Sequence, residues 1–167
     1  MRALAGLAAA ALLVAGALPA SAQRNEAADR AAIHALLIAY GATLDARDFD
    51  GFARLFGDDG VYVAGGGREA RGAAAGEMMR QVFGRNQSGA GEPNFHLFYN
   101  EVVTFDGKDR AHATSMSLWM GPDKETKRPI ALMSGRYEDE LVRKGGKWLF
   151  ARRTVKAISN GPAAAAK

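Results

Sequence analysis

Four β-rich runs follow one another between Phe95 and Ile158, and this succession limits the fold more than any other feature of the chain. Phe95 to Phe105 ends in Asp106-Gly107, a dipeptide that favours a tight hairpin turn. Arg110 to Met120 stops at Gly121-Pro122. Ile130 to Arg143 is turned by Gly145-Gly146 into Lys147 to Ile158. The pattern predicts a four-strand antiparallel meander.

Helical patterning is confined to the sequence before it. Ile33, Leu36, Leu37, Tyr40 and Leu44 fall on one stripe and predict a helix from about Glu26 to Arg47. A short helix fits Phe49 to Phe56, with Asp48 as its N-cap. Gly57 to Gly60 reads as a turn and Val61 to Ala64 as a short strand, broken by Gly65-Gly66-Gly67. A third helix fits Ala73 to Phe83, with Met78, Met79, Val82 and Phe83 as its buried side. Residues Arg85 to Pro93 read as a polar, Gly-rich loop. Helices first and strands later argue for an α+β domain rather than a parallel α/β fold. A long amphipathic helix laid across a curved sheet leaves an open cone between the two.

Residues 1–22 read as a secretory signal peptide. Arg2 gives the positive start, Ala3 to Leu18 an apolar run, and Ala20-Ser21-Ala22 a small-residue cleavage site. The run is about 16 residues, short of the ~20 that span a bilayer, so no membrane association is expected after cleavage. The domain then occupies residues 23–160, and residues 161–167 form a Gly-Pro-Ala tail. The net charge of +4 falls to +3 without Arg2, and no Lys/Arg block is present, which argues against nucleic acid as a partner. There is no Cys, so disulfides, thiolate chemistry and Cys-ligated zinc are excluded. A secreted or periplasmic domain of this kind is held by its core alone, for which about 145 residues suffice.

Several segments together resemble a known family. They are Ile38 to Asp45, Asp48 to Phe56, Asp59-Gly60, Phe95-His96-Leu97 with Asn100, Gly135 to Arg143, and Trp148 with Arg152. In this order and spacing they are similar to the SnoaL-like branch of the nuclear transport factor 2-like superfamily, over about residues 28 to 157. The resemblance implies a cone-shaped α+β barrel, with long N-terminal helices packed on a curved, mostly antiparallel sheet and a pocket at the wide end. It also implies a homodimer. Members of the superfamily include scytalone dehydratase, bile-acid 7α-dehydratase, hexachlorocyclohexane dehydrochlorinase, ketosteroid isomerase and polyketide cyclases, but also non-catalytic binding modules, so the fold does not fix the function.

In the dehydratase-like members an acidic residue on the first long helix pairs with a His on the first meander strand, and a Tyr precedes the acid. Tyr40, Asp45 and His96 match those positions and are the expected catalytic residues. Elimination of water or HX next to an activated C–H needs a base that ionises near neutrality, as His does. A carboxylate on its other nitrogen fixes the tautomer and stabilises the imidazolium. A phenol can donate to a carbonyl oxygen that becomes an enolate. This chemistry needs neither a metal nor an organic cofactor. Phe98, Asn100, His112, Met116, Tyr137 and Arg152 are expected to line the substrate pocket.

Each assignment has a plainer competitor. Tyr40 lies on the apolar stripe and fits a core Tyr with a satisfied hydroxyl. Tyr40 and Asp45 stand about 140° apart at 100° per residue, so both face one cavity only if it spans a wide sector. Asp45, near the helix end, also fits a solvated residue or an acceptor for a nearby backbone N–H. His96, in Phe95-His96-Leu97-Phe98, also fits a packed core residue. His34 reads as a surface residue. The direction of His112 depends on a register that sequence does not give. Arg143 and Arg152 fit either an anion holder in the cone or a surface partner for a carboxylate such as Asp139.

Two functions follow, beside a monooxygenase-like or cyclase role that would use the same pocket. One is a cofactor-free lyase or isomerase acting on a small, largely apolar, cyclic carbonyl compound. The other is a periplasmic ligand-binding or accessory domain of the same fold without turnover. The export reading has its own check: mass spectrometry of exported material should find a chain beginning at about Gln23, and an intact Met1 in that fraction would refute it.

Overall fold

A computed structural model describes residues 25–85 and 92–160. The signal segment and the 161–167 tail lie outside the described residues. Helix α1 spans Glu26–Asp45, α2 Phe49–Arg54 and α3 Ala73–Gly84. The strands are β1 Val61–Val63, β2 Glu69–Arg71, β3 Phe95–Asp106, β4 Arg110–Pro122, β5 Pro129–Lys144 and β6 Lys147–Asn160. They form one six-stranded sheet in the order β2-β1-β6-β5-β4-β3. The meander β3–β6 is antiparallel throughout, as its turn signals predict.

Local chemistry sets the helix ends. The Asn25 side chain accepts the Ala28 N–H at 3.1 Å and starts α1. Asp48 does the same for α2, accepting the Gly51 N–H at 2.7 Å. Helix α2 stops at Arg54, two residues before the expected end, because the Leu55 and Phe56 N–H groups bond three residues back in tighter turns.

Two features of the sheet depart from the sequence reading. The break at Gly65–Gly67 is the turn of a β1–β2 hairpin, with Gly67 at φ +80° and its N–H bonded to the Ala64 carbonyl at 2.7 Å. Strand β2 has three residues, too few to show an alternating pattern. Strand β1 pairs in parallel with β6, a contact across about ninety residues of sequence that no local signal announces.

Four register shifts curve the sheet around α1: at Tyr99/Val102, Trp119/Met120, Ser134/Gly135 and Glu140/Leu141. Ala111, Ala113, Ser115 and Ser117 of β4 point inward, and these small side chains leave room for the large Tyr137 and Leu141 of β5. Ile33, Leu37, Phe52 and Phe150 complete the tightest part of the core.

Two ion pairs lie in this interior. Near the start of α1, Asp29 meets Arg143 and accepts the Trp148 indole N–H at 3.2 Å. In the sheet, Arg153 Nη1 donates to Asp139 Oδ2 at 3.1 Å, and both side chains are fully buried. Asp139, weighed above as a surface carboxylate, is therefore a core residue. Burial pushes its carboxyl up to about 6, against the opposing pull of Arg153.

Two outcomes follow for stability. Asp29→Ala should lose about 3 kcal/mol in urea unfolding, as expected when one partner of a buried pair is removed, and a loss under about 1 kcal/mol would count against this anchoring role. For Asp139, the folded state binds the proton more tightly than the unfolded chain does. Its contribution to stability therefore grows as pH falls through about 6 and is lost as pH rises. The stability of the wild type relative to Asp139→Asn should accordingly be higher at pH 5 than at pH 7.5. A constant gap would refute the burial argument.

Candidate active site

The C-terminal end of α1 meets the start of β3, and the contact depends on Gly41. A Cβ there would come within 2.6 Å of the Phe98 ring and 3.1 Å of the His96 Cβ. Without it, the helix lies close enough for Asp45, its last residue, to reach the strand. Asp45 Oδ1 is 2.6 Å from His96 Nδ1, and Oδ2 accepts the His96 backbone N–H at 2.9 Å. The backbone bond set out above as an alternative to the side-chain pair is thus present together with it. One carboxylate fixes both the ring and the strand that carries it.

The His96 imidazole lies nearly parallel to two aromatic neighbours, Phe98 at 6.2 Å and 18° and Trp119 at 6.1 Å and 19°. An ionised Asp45 can only accept, so in a neutral imidazole paired with it Nδ1 donates and Nε2 is the nitrogen without a proton. His96 lines a cavity of about 250 Å³ enclosed by α1, α3, β1 and the sheet.

The cavity wall is largely apolar, formed by Leu44, Met79, Val82, Phe83, Trp119 and Met133 among others. Besides His96, its polar side chains are three tyrosines: Tyr40 from α1, Tyr62 from β1 and Tyr137 from β5. The Tyr40 and Tyr62 hydroxyls are 3.5 Å apart, too far for a strong mutual bond. Tyr137 is 3.1 Å from the Ser117 hydroxyl. Burial, with Tyr62 and Tyr137 nearby, holds the Tyr40 phenol well above its ordinary range, while Arg153 opposes this. Burial likewise pushes Tyr62 up to about 12. Both therefore keep their protons at neutral pH and can donate. Among the described residues, no Asp, Glu, Lys or Arg side chain lines the cavity and no cluster of His, Asp or Glu could hold a metal.

The structure thus brings Tyr40, His96 and Tyr137 to one cavity and sets Asp45 behind His96. The wide angle between Tyr40 and Asp45 is resolved by the strand: Tyr40 faces the interior directly, and Asp45 acts on what β3 carries inward. Phe98 packs against Tyr40, Tyr137 and His96, behind the lining.

Four expected pocket residues lie elsewhere. His112 and Arg152 are on the outer sheet face, in a cleft with Glu138 and Glu140, and Arg152 pairs with Glu69. Met116 also faces outward, since its neighbours Ser115 and Ser117 are the buried ones. Asn100 sits in the β3 bulge at φ +53° and donates to the Met116 sulfur at 3.8 Å. Arg143 belongs to the Asp29 pair, and His34 is on the surface, 2.7 Å from Glu101.

Sequence reasoning missed Tyr62, Ser117 and Arg153. Tyr62 sits in a three-residue strand whose residues are all buried, so alternation says nothing about it. Ser117 alternates with outward residues on β4, a signal that was legible once the register was fixed. Arg153 follows Arg152, and only a bulge decides which of the two turns inward. Leu141 pairs with Phe150 but Glu140 with Arg152, so Ala151 is the extra residue and the inward set shifts from Trp148 and Phe150 to Arg153 and Val155.

Comparison with known proteins agrees with this architecture. An NTF2-like protein with a cystatin-like fold from Novosphingobium aromaticivorans is 26% identical, with a TM-score of 0.69 over 84% of this chain and 88% of that one. The hexachlorocyclohexane dehydrochlorinase LinA-type3 from Novosphingobium barchaimii is 22% identical, at 0.69 over 84% and 94%. Rv3472 from Mycobacterium tuberculosis, a protein of unknown function, is 24% identical, at 0.66 over 83% and 79%. No curated protein matches in sequence. The SnoaL-like domain family matches residues 25–154, and with the six-stranded curved sheet this makes the chain a member of the SnoaL-like family of the NTF2-like superfamily.

Proposed function

We propose that this chain is an exported lyase or isomerase of the dehydratase type, acting on a small, largely apolar, cyclic carbonyl compound. The observation that carries the reading is the 2.6 Å contact of Asp45 with His96 Nδ1, at the edge of a cavity whose described lining holds no other ionic group. In a general base such a carboxylate fixes the tautomer and offsets the charge that proton abstraction creates. The likeness to a dehydrochlorinase is in keeping with elimination chemistry.

In this mechanism the ligand carbonyl sits against the Tyr40 and Tyr62 hydroxyls. His96 Nε2 takes the proton from the adjacent carbon, and the C–H electron pair moves into the enolate. Tyr40 donates to the enolate oxygen as its charge grows. In a lyase the pair then expels a group from the next carbon, and the imidazolium returns its proton to a leaving hydroxyl, which departs as water. In an isomerase the same proton returns to another carbon. Apolar walls exclude water from the enolate, and the neutral lining favours a ligand that enters uncharged.

A second copy of the chain is the proposed partner. Phe95, Leu97 and Tyr99 are 39%, 47% and 37% exposed on the outer face of β3, the edge strand of the sheet. An exposed apolar row on an open edge is the kind of surface that pairing covers.

Exchange of α-protons gives a test that needs no knowledge of the natural substrate. Small cyclic enones in D₂O should exchange their α-hydrogens faster with the protein than with buffer, as followed by NMR. Asp45→Asn and His96→Ala should each reduce this by about 10²–10⁴, and the double variant little further, because the two act as a unit. Tyr40→Phe should cost about 10–10³. No exchange above buffer across the panel, or exchange indifferent to His96→Ala, refutes the reading. For the partner, light scattering should give a dimer mass that Leu97→Glu converts to a monomer; a monomeric wild type would end that part of the proposal.

A further inference from the structure

Arg153 has no contact with solvent, and the proposed chemistry leaves it without a task. Its guanidinium carbon lies 4.1 Å from the Tyr40 ring centre, 4.0 Å from that of Tyr137 and 4.6 Å from that of Phe150. Only Nη1 has a hydrogen-bond partner, Asp139 Oδ2 at 3.1 Å. Nε and Nη2 make no hydrogen bond, and neither do Asp139 Oδ1 and the neighbouring Ser115 hydroxyl. This is a poor way to stabilise a fold. A buried ion pair is often no better than packed hydrophobic residues, and one with unsatisfied N–H groups is worse.

The position of the charge suggests what it does. Tyr40 and Tyr137 both line the cavity, and the same two rings cover Arg153. The cation therefore packs against the rings of two tyrosines that line the cavity, one of them Tyr40, whose hydroxyl meets the ligand in the proposed mechanism. In a buried site a unit charge at that remove still acts on negative charge forming in front of it. The counter-charge on Asp139 comes from the neighbouring strand, directly across the register from Arg153, and weakens this field without cancelling it.

We propose that Arg153 and Asp139 are a positioning pair: sealed behind Tyr40 and Tyr137, they bias the cavity toward the anionic form of an enol- or phenol-like ligand without touching it. The inference rests on the reading of the cavity as a place where negative charge develops on a ligand oxygen at Tyr40. It adds that the charge balance of this pair tunes how strongly that happens. Arg153 favours the anion and Asp139 moderates it.

The probe is 4-nitrophenol, whose visible spectrum distinguishes phenol from phenolate. Its titration when bound to the wild type is the reference. Arg153→Met should raise that bound value by about one pH unit, a tenfold loss of preference for the phenolate. Asp139→Asn should lower it further, because the cation is then unopposed. Arg153→Lys keeps the charge and should stay near the wild type, which also covers the case in which Arg153→Met fails to fold. A merely structural pair would lose affinity in both single variants and shift the bound titration in neither. Shifts in the same direction, no shift, or no binding of 4-nitrophenol at millimolar concentration would each overturn the proposal. Opposite shifts without any α-proton exchange would uphold it and remove the elimination reading. Exchange with an unmoved phenol titration would do the reverse.

Discussion

Helix α1 is held across the sheet at both ends by carboxylates. Asp29 in its first turn engages Arg143 and the Trp148 indole on the β5–β6 hairpin, and Asp45 at its last residue engages the ring and backbone of His96 on β3. The two anchors are sixteen residues apart, about 24 Å along a helix. Between them the apolar stripe of Ile33, Leu37 and Tyr40 fills the concave sheet face. Apolar packing alone does not fix the height of a helix along a sheet, because it is not directional. Two charge-assisted contacts at the ends do. With α1 fixed, its C-terminal turn, α3 and strand β1 close a space that the sheet cannot fill, and the cavity occupies it.

What the sequence disclosed follows from this geometry. The meander was legible because its turns carry Asp-Gly and Gly-Gly, and α1 because its stripe is regular over five positions. Tyr40, Asp45 and His96 were legible as types and spacing, although the sequence did not show that one carboxylate serves both a side chain and a backbone amide. What it hid depends on single-residue events. One extra residue at Ala151 turns Arg153 inward and Arg152 outward, although strict alternation from Trp148 and Phe150 would choose Arg152. The bulge at Asn100 moves that side chain out of the inward row in the same way. The parallel β1–β6 contact brings Tyr62 to Arg153 through tertiary pairing alone. Bulges and long-range pairings leave little trace in local hydrophobic pattern, and in this chain they decide which polar groups reach the cavity.

The expected and observed pocket residues also differ in chemical character. The residues moved outward, His112, Arg152 and Asn100, are the ones that would have made the cavity polar and partly charged. The residues found inside, Tyr62 and Tyr137 with Met133 and Trp119, make it aromatic and neutral. Charge is nevertheless close at hand, one layer back: Asp45 behind His96 and Arg153 behind Tyr40 and Tyr137. Each of these two charges stands behind a side chain that can pass its influence forward through a hydrogen bond or a ring.

Such layering has a consequence for selectivity between ground and transition states. A charge in the lining would bind a charged ligand at once, and tight binding of the ground state does nothing for the chemical step. A neutral lining gives a neutral ketone only apolar contact and weak hydrogen bonds. In the proposed mechanism, positive charge grows beside Asp45 and negative charge grows before Tyr40 as a proton leaves for His96. Both would meet a field already in place, so little reorganisation would be needed at that moment. The cost of burying Arg153 and Asp139 is incurred on folding, not on reaction. On this argument the elevated Asp139 carboxyl and the unsatisfied N–H groups of Arg153 belong to the site rather than to the scaffold.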